Sequence, residues 1–395
     1  MDYDAVVVGA GPGGTTTAKV LAKSGASVLV VEKRPEIGMP VRCGEATGIQ
    51  GLKELGIKPD KKFIENKTRG EYLIAPDGTR VDLRTEKPNG YVLERRMFDK
   101  CLGIYAAKAG AEIRTRTYAT GLVKENGFVR GVKLKHFSEE YEVRCNVVVG
   151  ADGIDGRVGV WAGLNNRTKL RDMASNVQFE MAGVDISEPD VLEFYIGSDY
   201  APGGYVWIFP KGGDVANVGL GVRNSKINAL EYLKKFIASK DNLKNGSVVS
   251  IVVGGVPVQG PLTKSTADGV VLVGDSARHV DPLTGGGIYN AMHCGTLAAK
   301  AICEAKKKGN FSGDFFKMAY HEVWSKDVGV ALKRSLKIKE VLGRLSDKDL
   351  NKIARFMQGI KFGDIDIKEI SSSLLTFPPE FMKFVQGLLV QDTRA

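Results

Sequence analysis

The sequence predicts an α/β fold in which a Rossmann-like domain carries an inserted antiparallel-sheet domain and is followed by a helical C-terminal region. Three observations predict it: a strand–helix–strand unit at the amino terminus, alternating strands between residues 173 and 258, and helical periodicity from about residue 311. The chain has 395 residues, of which 43% are hydrophobic, so it can bury the cores of two domains.

The amino-terminal unit consists of a short apolar strand at residues 3–9, a helix at about 13–24 and a second apolar strand at 27–32. Between the first strand and the helix lies a glycine-rich turn containing Gly9, Gly11, Gly13 and Gly14. Such a turn lets the backbone approach a pyrophosphate at the helix amino terminus. Glu32 ends the second strand, where a carboxylate can accept hydrogen bonds from a ribose. These residues predict binding of an ADP moiety.

Two later motifs extend this prediction from ADP to FAD. Asp152 and Gly153 follow the buried strand at 147–150, and Asp275 follows another at 270–274. An aspartate at such a strand end can bind the ribityl hydroxyls, although Asp275 by itself could be a helix N-cap. Gly286, Gly287 and Ile288 begin a long helix at 288–308, whose first N–H groups can face the flavin pyrimidine ring.

The remaining chain is divided by its patterns. Segments 1–80, 91–172 and 259–310 are assigned to a discontinuous FAD-binding domain, 173–258 to an antiparallel-sheet substrate domain and 311–395 to the helical region. Further predicted elements are listed by residue number: strands at 70–84, 91–93, 176–184, 191–196, 204–209 and 215–222, hairpin-like strands within 112–135, and helices at 96–108, 331–345 and 347–358. A terminal helix after Pro379 would place Phe381, Phe384 and Leu388 on one face.

The three FAD motifs, in this order, resemble those of the flavoproteins related to para-hydroxybenzoate hydroxylase. That resemblance implies an arginine at the flavin in the segment 91–99, where Arg95 fits the spacing to Phe98 and Asp99 best and Arg96 is the alternative. Two other segments are similar to geranylgeranyl reductases: the strand from Pro202 to Pro210, which reads P-x-x-Y-x-W-x-F-P, and the segment 40–45, which reads PVRCGE. Further cofactor contacts are expected at Lys33, Arg42, Cys43, Gly44, Ala46 and Thr120.

The geranylgeranyl reductase resemblance implies an FAD-dependent enzyme that saturates the isoprenoid double bonds of geranylgeranylated glycerophospholipids in archaeal membrane lipid biosynthesis. Tyr205, Trp207 and Phe209 alternate along one strand, so they share a face that is either a wall for a prenyl chain or ordinary core. An isolated double bond also needs a proton, and Cys43, Tyr205, His279 or bound water could donate it. An aromatic monooxygenase or halogenase, or a flavin-containing lipid carrier without turnover, remains an alternative.

Composition constrains partners and location. The formal net charge is +10, which fits an anionic membrane surface or an anionic substrate, and the absence of a nucleic-acid-binding motif disfavours nucleic acid. Five cysteines without a CxxC pair, and four histidines, predict no metal site and a reducing cytoplasmic compartment. No apolar run is long enough to span a bilayer, so peripheral contact is the only membrane association expected. No motif identifies the electron donor, either a reduced nicotinamide nucleotide or ferredoxin.

Overall fold

The computed structural model describes residues 1–358. Its strands, in chain order, are β1 (Tyr3–Val8), β2 (Val28–Val31), β3 (Ala46–Gly48), β4 (Ile64–Thr68), β5 (Glu71–Ile74), β6 (Arg80–Asp82), β7 (Gly90–Leu93), β8 (Glu112–Arg114), β9 (Thr117–Glu125), β10 (Phe128–His136), β11 (Glu139–Gly150), β12 (Met173–Ala182), β13 (Leu192–Ile196), β14 (Tyr205–Gly212), β15 (Val215–Val222), β16 (Ser247–Pro257), β17 (Thr266–Ala267) and β18 (Val270–Leu272). Its helices are α1 (Pro12–Lys23), α2 (Ile49–Glu54), α3 (Arg95–Lys108), α4 (Arg157–Trp161), α5 (Ala229–Ala238), α6 (Ile288–Lys308), α7 (Gly313–Phe316), α8 (Glu322–Lys326), α9 (Val328–Leu342) and α10 (Asp347–Gln358).

The first sheet has the strand order β17-β18-β11-β1-β2-β8, and its β1, β2, β8, β11 and β18 run parallel. β1 lies between two parallel neighbours and is buried on both faces, which explains its unbroken apolar run. The predicted strand–helix–strand unit is confirmed. The carboxyl ends of β1, β2, β11 and β18 meet at one edge, and the predicted motifs follow those ends.

Helices α1 and α6 cross closely over this sheet because small residues face each other. A Cβ at Gly295 would lie 2.6 Å from the carbonyl oxygen of Gly13, and Thr17 Oγ1 donates a hydrogen bond to the Gly295 carbonyl. Cys294, Ala298 and Ile302 of α6 complete the core between helix and sheet. Helix α6 has the predicted bounds. Because it packs closely against α1 and the sheet, the loop that precedes it is fixed in place.

The hairpin prediction needs one correction. Residues 112–114 form β8, which pairs in parallel with β2 and is not part of the hairpin. The hairpin itself is β9–β10, with Asn126 and Gly127 in left-handed conformations at its turn. β10 then pairs with β11, a long strand that also lies beside β1.

The second sheet has the order β16-β12-β15-β14-β13-β5-β6. The four strands predicted between 176 and 222 are confirmed, and α5 and β16 complete the set without having been predicted. The assignment of residues 70–80 to the first domain is corrected, because β5 pairs in parallel with β13 and β6 pairs with β5. A small third sheet, β3-β7-β4, precedes α3.

Helices α7 to α10 form the described part of the helical region, with a π-helical stretch at Lys317–His321 between α7 and α8. The predicted helices at 331–345 and 347–358 correspond to α9 and α10. The predicted terminal helix with Phe381, Phe384 and Leu388 lies outside the described residues. Within residues 1–358, no helix is both long and apolar enough to cross a membrane.

Candidate active site

The four glycines after β1 differ in what surrounds them. Gly9 has φ +105°, and side chains at Gly9 and Gly14 would collide with the backbone oxygens of Ala151 and Gly9, respectively. A Cβ at Gly13 would lie 3.1 Å from the carbonyl oxygen of Ala291, so this glycine faces α6. Only Gly11 is open: no described atom lies within 4 Å of where its Cβ would be. Gly11 therefore borders the space that a pyrophosphate would need at the start of α1.

A Gly11→Val variant is expected to fold but to lose its flavin, because the added side chain enters ligand space and its Cβ has no described protein atom within 4 Å. Flavin absorbance per protein and the thermal melt of the apoprotein would be measured together. Gly48→Ala is the matched control, since its Cβ would come no closer than 4.0 Å to a neighbour, at the Asn89 oxygen. Full flavin content in Gly11→Val would contradict the placement.

Glu32 braces the glycine turn. Its Oε2 accepts a hydrogen bond from the Ala10 N–H at 3.0 Å and its Oε1 accepts one from the Arg34 N–H at 2.9 Å. The neighbouring Lys33 forms an ion pair with Asp155. Thr120 is exposed on the β9–β10 hairpin, where its hydroxyl donates to the Lys133 carbonyl at 3.2 Å. Glu32 thus lies at the turn, whereas the side chains of Lys33 and Thr120 point to surface partners.

Asp152 lies at the carboxyl end of β11. Its Oδ2 accepts from the Val158 N–H at 2.9 Å, but its buried Oδ1 has no partner among the described residues. Burial raises the pKa of this carboxyl. A buried acceptor without a partner is costly, which favours a hydroxyl-bearing ligand at this position. Gly153 follows with φ +63°, a left-handed conformation that glycine adopts without strain, and this lets the chain turn directly after Asp152.

Arg95 is the arginine that reaches the site, and Arg96 does not. Arg95 forms a two-point ion pair with Asp99, at 2.8 Å for both Nε–Oδ1 and Nη2–Oδ2. Its positive charge lowers the pKa of both Cys43 and Asp275, against the larger raising effect of burial. Arg96 instead pairs with Glu36 at the surface, with 49% of its side chain exposed. The structure thus brings Arg95, Cys43 and Asp275 together.

The Cys43 loop packs against the aromatic strand β14. The Cys43 Sγ accepts a hydrogen bond from the Glu45 N–H at 3.2 Å. A Cβ at Gly44 would lie 2.7 Å from the Phe209 ring, so only glycine allows this approach. Arg42 is exposed and its side chain lies beside Gly254 of β16, while Ala46 begins β3.

Tyr205, Trp207 and Phe209 share one face of β14, as predicted. Trp207 donates from Nε1 to Gln178 Oε1 at 2.8 Å, which fixes its ring. Phe194, which sequence reasoning missed, lies edge-on to Tyr205 and Phe209, with centroid distances of 5.4 and 5.3 Å. Phe194 is opposite Trp207 in the β13–β14 register, a pairing that no local pattern reveals. Tyr205 is half-buried and the other two rings are buried, so Tyr205 presents most of the open surface.

The glycine-rich loop before α6 closes the site beside Tyr205, whose hydroxyl donates to the Thr284 carbonyl. A Cβ at Gly285, which has φ +71°, would lie 3.8 Å from that hydroxyl oxygen. Gly286 donates its N–H to Thr284 Oγ1, Gly287 caps α6 and Ile288 is its first residue. The positive end of a 21-residue helix therefore faces this corner.

His279 does not join the predicted proton donors. Its Nδ1 accepts from the Gly274 N–H at 3.2 Å, and its ring packs edge-on against Trp324, with centroids 4.6 Å apart. Burial lowers its pKa to about 3, so the imidazole is neutral at physiological pH. The expectation of a catalytic His279 is therefore corrected: its surroundings indicate a structural role.

The neutral His279 should make the protein acid-labile. Because its pKa is about 3 in the folded protein and about 6.5 in the unfolded chain, the unfolded state binds the extra proton between these values. The stabilisation is thus present above pH 6.5 and is lost as pH falls toward 3, at up to about 1.4 kcal/mol per pH unit. Urea unfolding from pH 4.5 to 7.5 should show a shallower pH dependence for His279→Gln than for wild type. His136→Gln, on β10, is the control, and identical slopes for His279→Gln and wild type would refute the expectation.

The arrangement fits FAD at the carboxyl edge of the first sheet. Gly11 leaves room for a pyrophosphate, and the unpartnered Asp152 oxygen can accept a hydrogen bond from a hydroxyl. The amino terminus of α6, which follows the glycine-rich loop, provides a positive helix end. A second sheet brings an aromatic face to the same region. The fold and site together define an FAD-dependent oxidoreductase.

Comparison with known proteins narrows this class. A family model described as the geranylgeranyl reductase catalytic domain matches residues 172–256, and one described as an NAD(P)-binding Rossmann-like domain matches residues 7–55. The chain is 43% identical to the digeranylgeranylglycerophospholipid reductase of Methanocella arvoryzae, over 98% of this chain and 99% of that protein. It is 42% identical to the protein of the same name from Methanocaldococcus jannaschii, over 98% of each. The chain therefore belongs to the geranylgeranyl reductase family.

Solved structures agree with this assignment. A geranylgeranyl bacteriochlorophyll reductase-like protein from Thermoplasma acidophilum has a TM-score of 0.91 and 39% identity, covering 98% of this chain and 99% of that chain. A flavin-dependent brominase matches with a TM-score of 0.71 and 20% identity over all of both chains. At that identity the brominase shares the fold alone.

Proposed function

We propose that this protein is the FAD-dependent reductase that saturates isoprenoid C=C bonds of geranylgeranylated glycerophospholipids. The observation that carries the proposal is the contact between the Cys43–Gly44 loop and the β14 aromatic face, beside the glycine loop that begins α6. The aromatic face of β14 thus lies beside the place proposed for the flavin ring. Such an apolar surface suits an uncharged alkene better than a polar substrate.

When bound, reduced FAD supplies the hydride that adds to one alkene carbon. Gly11 and the amino end of α1 would hold its pyrophosphate, Asp152 and Asp275 its ribityl side, and the 285–288 loop its ring. Tyr205, Trp207, Phe209 and Phe194 would orient the prenyl chain and exclude water from the same corner.

The second alkene carbon needs a proton, and we assign that proton to the Cys43 thiol. Burial raises the pKa of Cys43, so the thiol stays protonated near neutral pH. Arg95 lowers that pKa in opposition, which means that its charge stabilises the thiolate left after proton transfer. The Tyr205 hydroxyl already donates to Thr284, and His279 faces Trp324. Cys43 is therefore the donor best supported by position.

The proposal also includes an electron donor and a membrane surface. The electrons are supplied by a reduced nicotinamide nucleotide or by ferredoxin. The lipid is reached by peripheral contact at the cytoplasmic membrane face, which the net charge of +10 favours for anionic lipids.

The direct test is mass spectrometry of an unsaturated digeranylgeranylglycerophospholipid after anaerobic incubation with photochemically reduced protein. Each saturated bond should add the mass of two hydrogen atoms, and the flavin should reoxidise in step. In a parallel aerobic incubation, oxygen-dependent hydroxylation would instead identify a monooxygenase. Unchanged bound lipid beside stable reduced flavin would identify a carrier.

A further inference from the structure

A buried polar cluster joins the Cys43 loop to the second sheet, and nothing in the sequence pattern drew attention to it. We call it the Lys211 cluster, and it consists of Lys211, Glu45, Glu94, Glu180 and Asn217. The Lys211 Nζ lies 3.1 Å from Glu45 Oε2, 2.9 Å from Glu94 Oε2 and 3.2 Å from Glu180 Oε2, and 6% of the Lys211 side chain is exposed. Lys211 lies two residues after Phe209 on β14, so the cluster begins on the strand that carries the aromatic face.

Glu45 links this cluster to the site by four hydrogen bonds. Its Oε2 accepts from Lys211 and, at 2.6 Å, from Asn217 Nδ2. Its Oε1 accepts from the Arg95 N–H at 2.7 Å, and its own N–H donates to the Cys43 Sγ at 3.2 Å. Glu45 also has φ +77°, a left-handed conformation that a non-glycine residue keeps only where its surroundings impose it.

Lys211 keeps its charge despite its burial, whereas burial raises the pKa of Glu45 and Lys211 opposes that rise. Burial lowers the pKa of Lys211, but the three carboxylates outweigh that effect and leave its pKa above the ordinary value, so Lys211 is cationic. Buried ion pairs of this kind often add no net stability over apolar residues of the same size. A cluster tied through one loop residue to Cys43, Arg95 and β14 is better explained by the geometry that it fixes.

We infer that Lys211 and Glu45 are positioning residues, which hold the Cys43 thiol and the Gly44 backbone against Trp207 and Phe209. Asn217 supports the same loop, since its Nδ2 also donates to the Gly44 carbonyl at 3.3 Å. The effect on turnover rests on the proposed function, but the effect on loop geometry does not.

The test measures alkylation of Cys43 by iodoacetamide in oxidised, flavin-loaded protein, with the modified peptide located by mass spectrometry. Lys211→Met leaves Glu45 buried without its cation, so the loop should open and alkylation should accelerate by about tenfold or more, as local opening replaces a closed loop. Lys211→Met with Glu45→Gln removes the cation together with the most deeply buried of its three carboxylates and should return the rate toward wild type. Lys100→Met, which removes only a surface ion pair with Glu36, should change nothing.

Turnover provides the second measurement. In Lys211→Met, kcat for lipid saturation should fall more than KM changes, since the variant displaces the thiol and leaves the aromatic wall in place. An unchanged Cys43 alkylation rate in folded Lys211→Met, or a double variant faster than the single one, would overturn the positioning role. If Lys211→Met does not fold, Glu45→Ala alone decides, since alanine removes the acceptor that Lys211, Asn217 and the Arg95 N–H share: wild-type alkylation overturns the inference and faster alkylation supports it. If the alkylation rate of Cys43 changes in Lys211→Met but the wild-type protein saturates no lipid, the proposed function is wrong and the positioning role is still supported.

Discussion

Replacing Cys43 with alanine is expected to leave a folded, flavin-loaded protein whose single-turnover saturation of lipid is slower by about 10²- to 10⁴-fold, the usual contribution of a positioned acid. The alkene is not conjugated to a carbonyl, so hydride addition without a proton would build an unstabilised carbanion. Alanine removes the proton and little volume, and the loop is still held through Glu45 and Gly44. The measurement is the rate of flavin reoxidation after rapid mixing of reduced protein with lipid.

Cys303→Ala is the matched control for that experiment. Cys303 is the other half-buried thiol, and it lies on α6, where it hydrogen-bonds with Ser24 at 3.0 Å. It should reoxidise at the wild-type rate. Undiminished reoxidation in Cys43→Ala would show that Cys43 does not donate the proton, and bound water or Tyr205 would then be the donor.

The second large effect is expected from Arg95→Met. The side chain of Asp99 is 9% exposed and would lose the two-point ion pair that compensates its burial. Breaking a buried pair by removing one partner costs about 3 to 5 kcal/mol, so the free energy of unfolding should fall by that order. The adjacent Arg96→Met removes an exposed pair and should cost under about 1 kcal/mol.

Urea unfolding of both variants gives the comparison, because the two arginines are neighbours with opposite environments. Equal losses from Arg95→Met and Arg96→Met would contradict the burial argument. Arg95→Met should also raise the pKa of Cys43, because it removes the charge that lowers it.

Local pattern predicted the parts of the site that follow strand ends. Gly9, Gly14, Asp152 and Asp275 occupy such positions because parallel strands bring their carboxyl ends together at one edge. Sequence spacing favoured Arg95 and kept Arg96 as the alternative, since only the direction of the first turn of α3 decides which one faces inward. His279 was misassigned because its partner Trp324 lies 45 positions later in the chain.

Partners distant in the chain account for the other failures. Glu45 and Lys211 form their ion pair across 166 positions, and each looks like an ordinary surface charge in its own segment. β5 was placed with the wrong sheet because its pairing with β13 joins residues about 120 positions apart. Periodicity describes which face of an element is apolar, and it is silent about which neighbour covers that face.

The parallel pairing of β5 with β13 affects how the protein can be divided. A fragment limited to residues 172–256, the range of the catalytic-domain model, would contain β13 with β14 but without β5, and would end one residue before β16 does. The freed edge of β13, with Phe194 and Tyr195 on it, would offer unpaired backbone to other chains, and such fragments tend to self-associate. Recombinant work on the substrate-binding half should therefore keep residues 71–82 attached. During synthesis β5 can pair with β6 at once, but its other edge must wait for β13 until more than a hundred further residues have been translated.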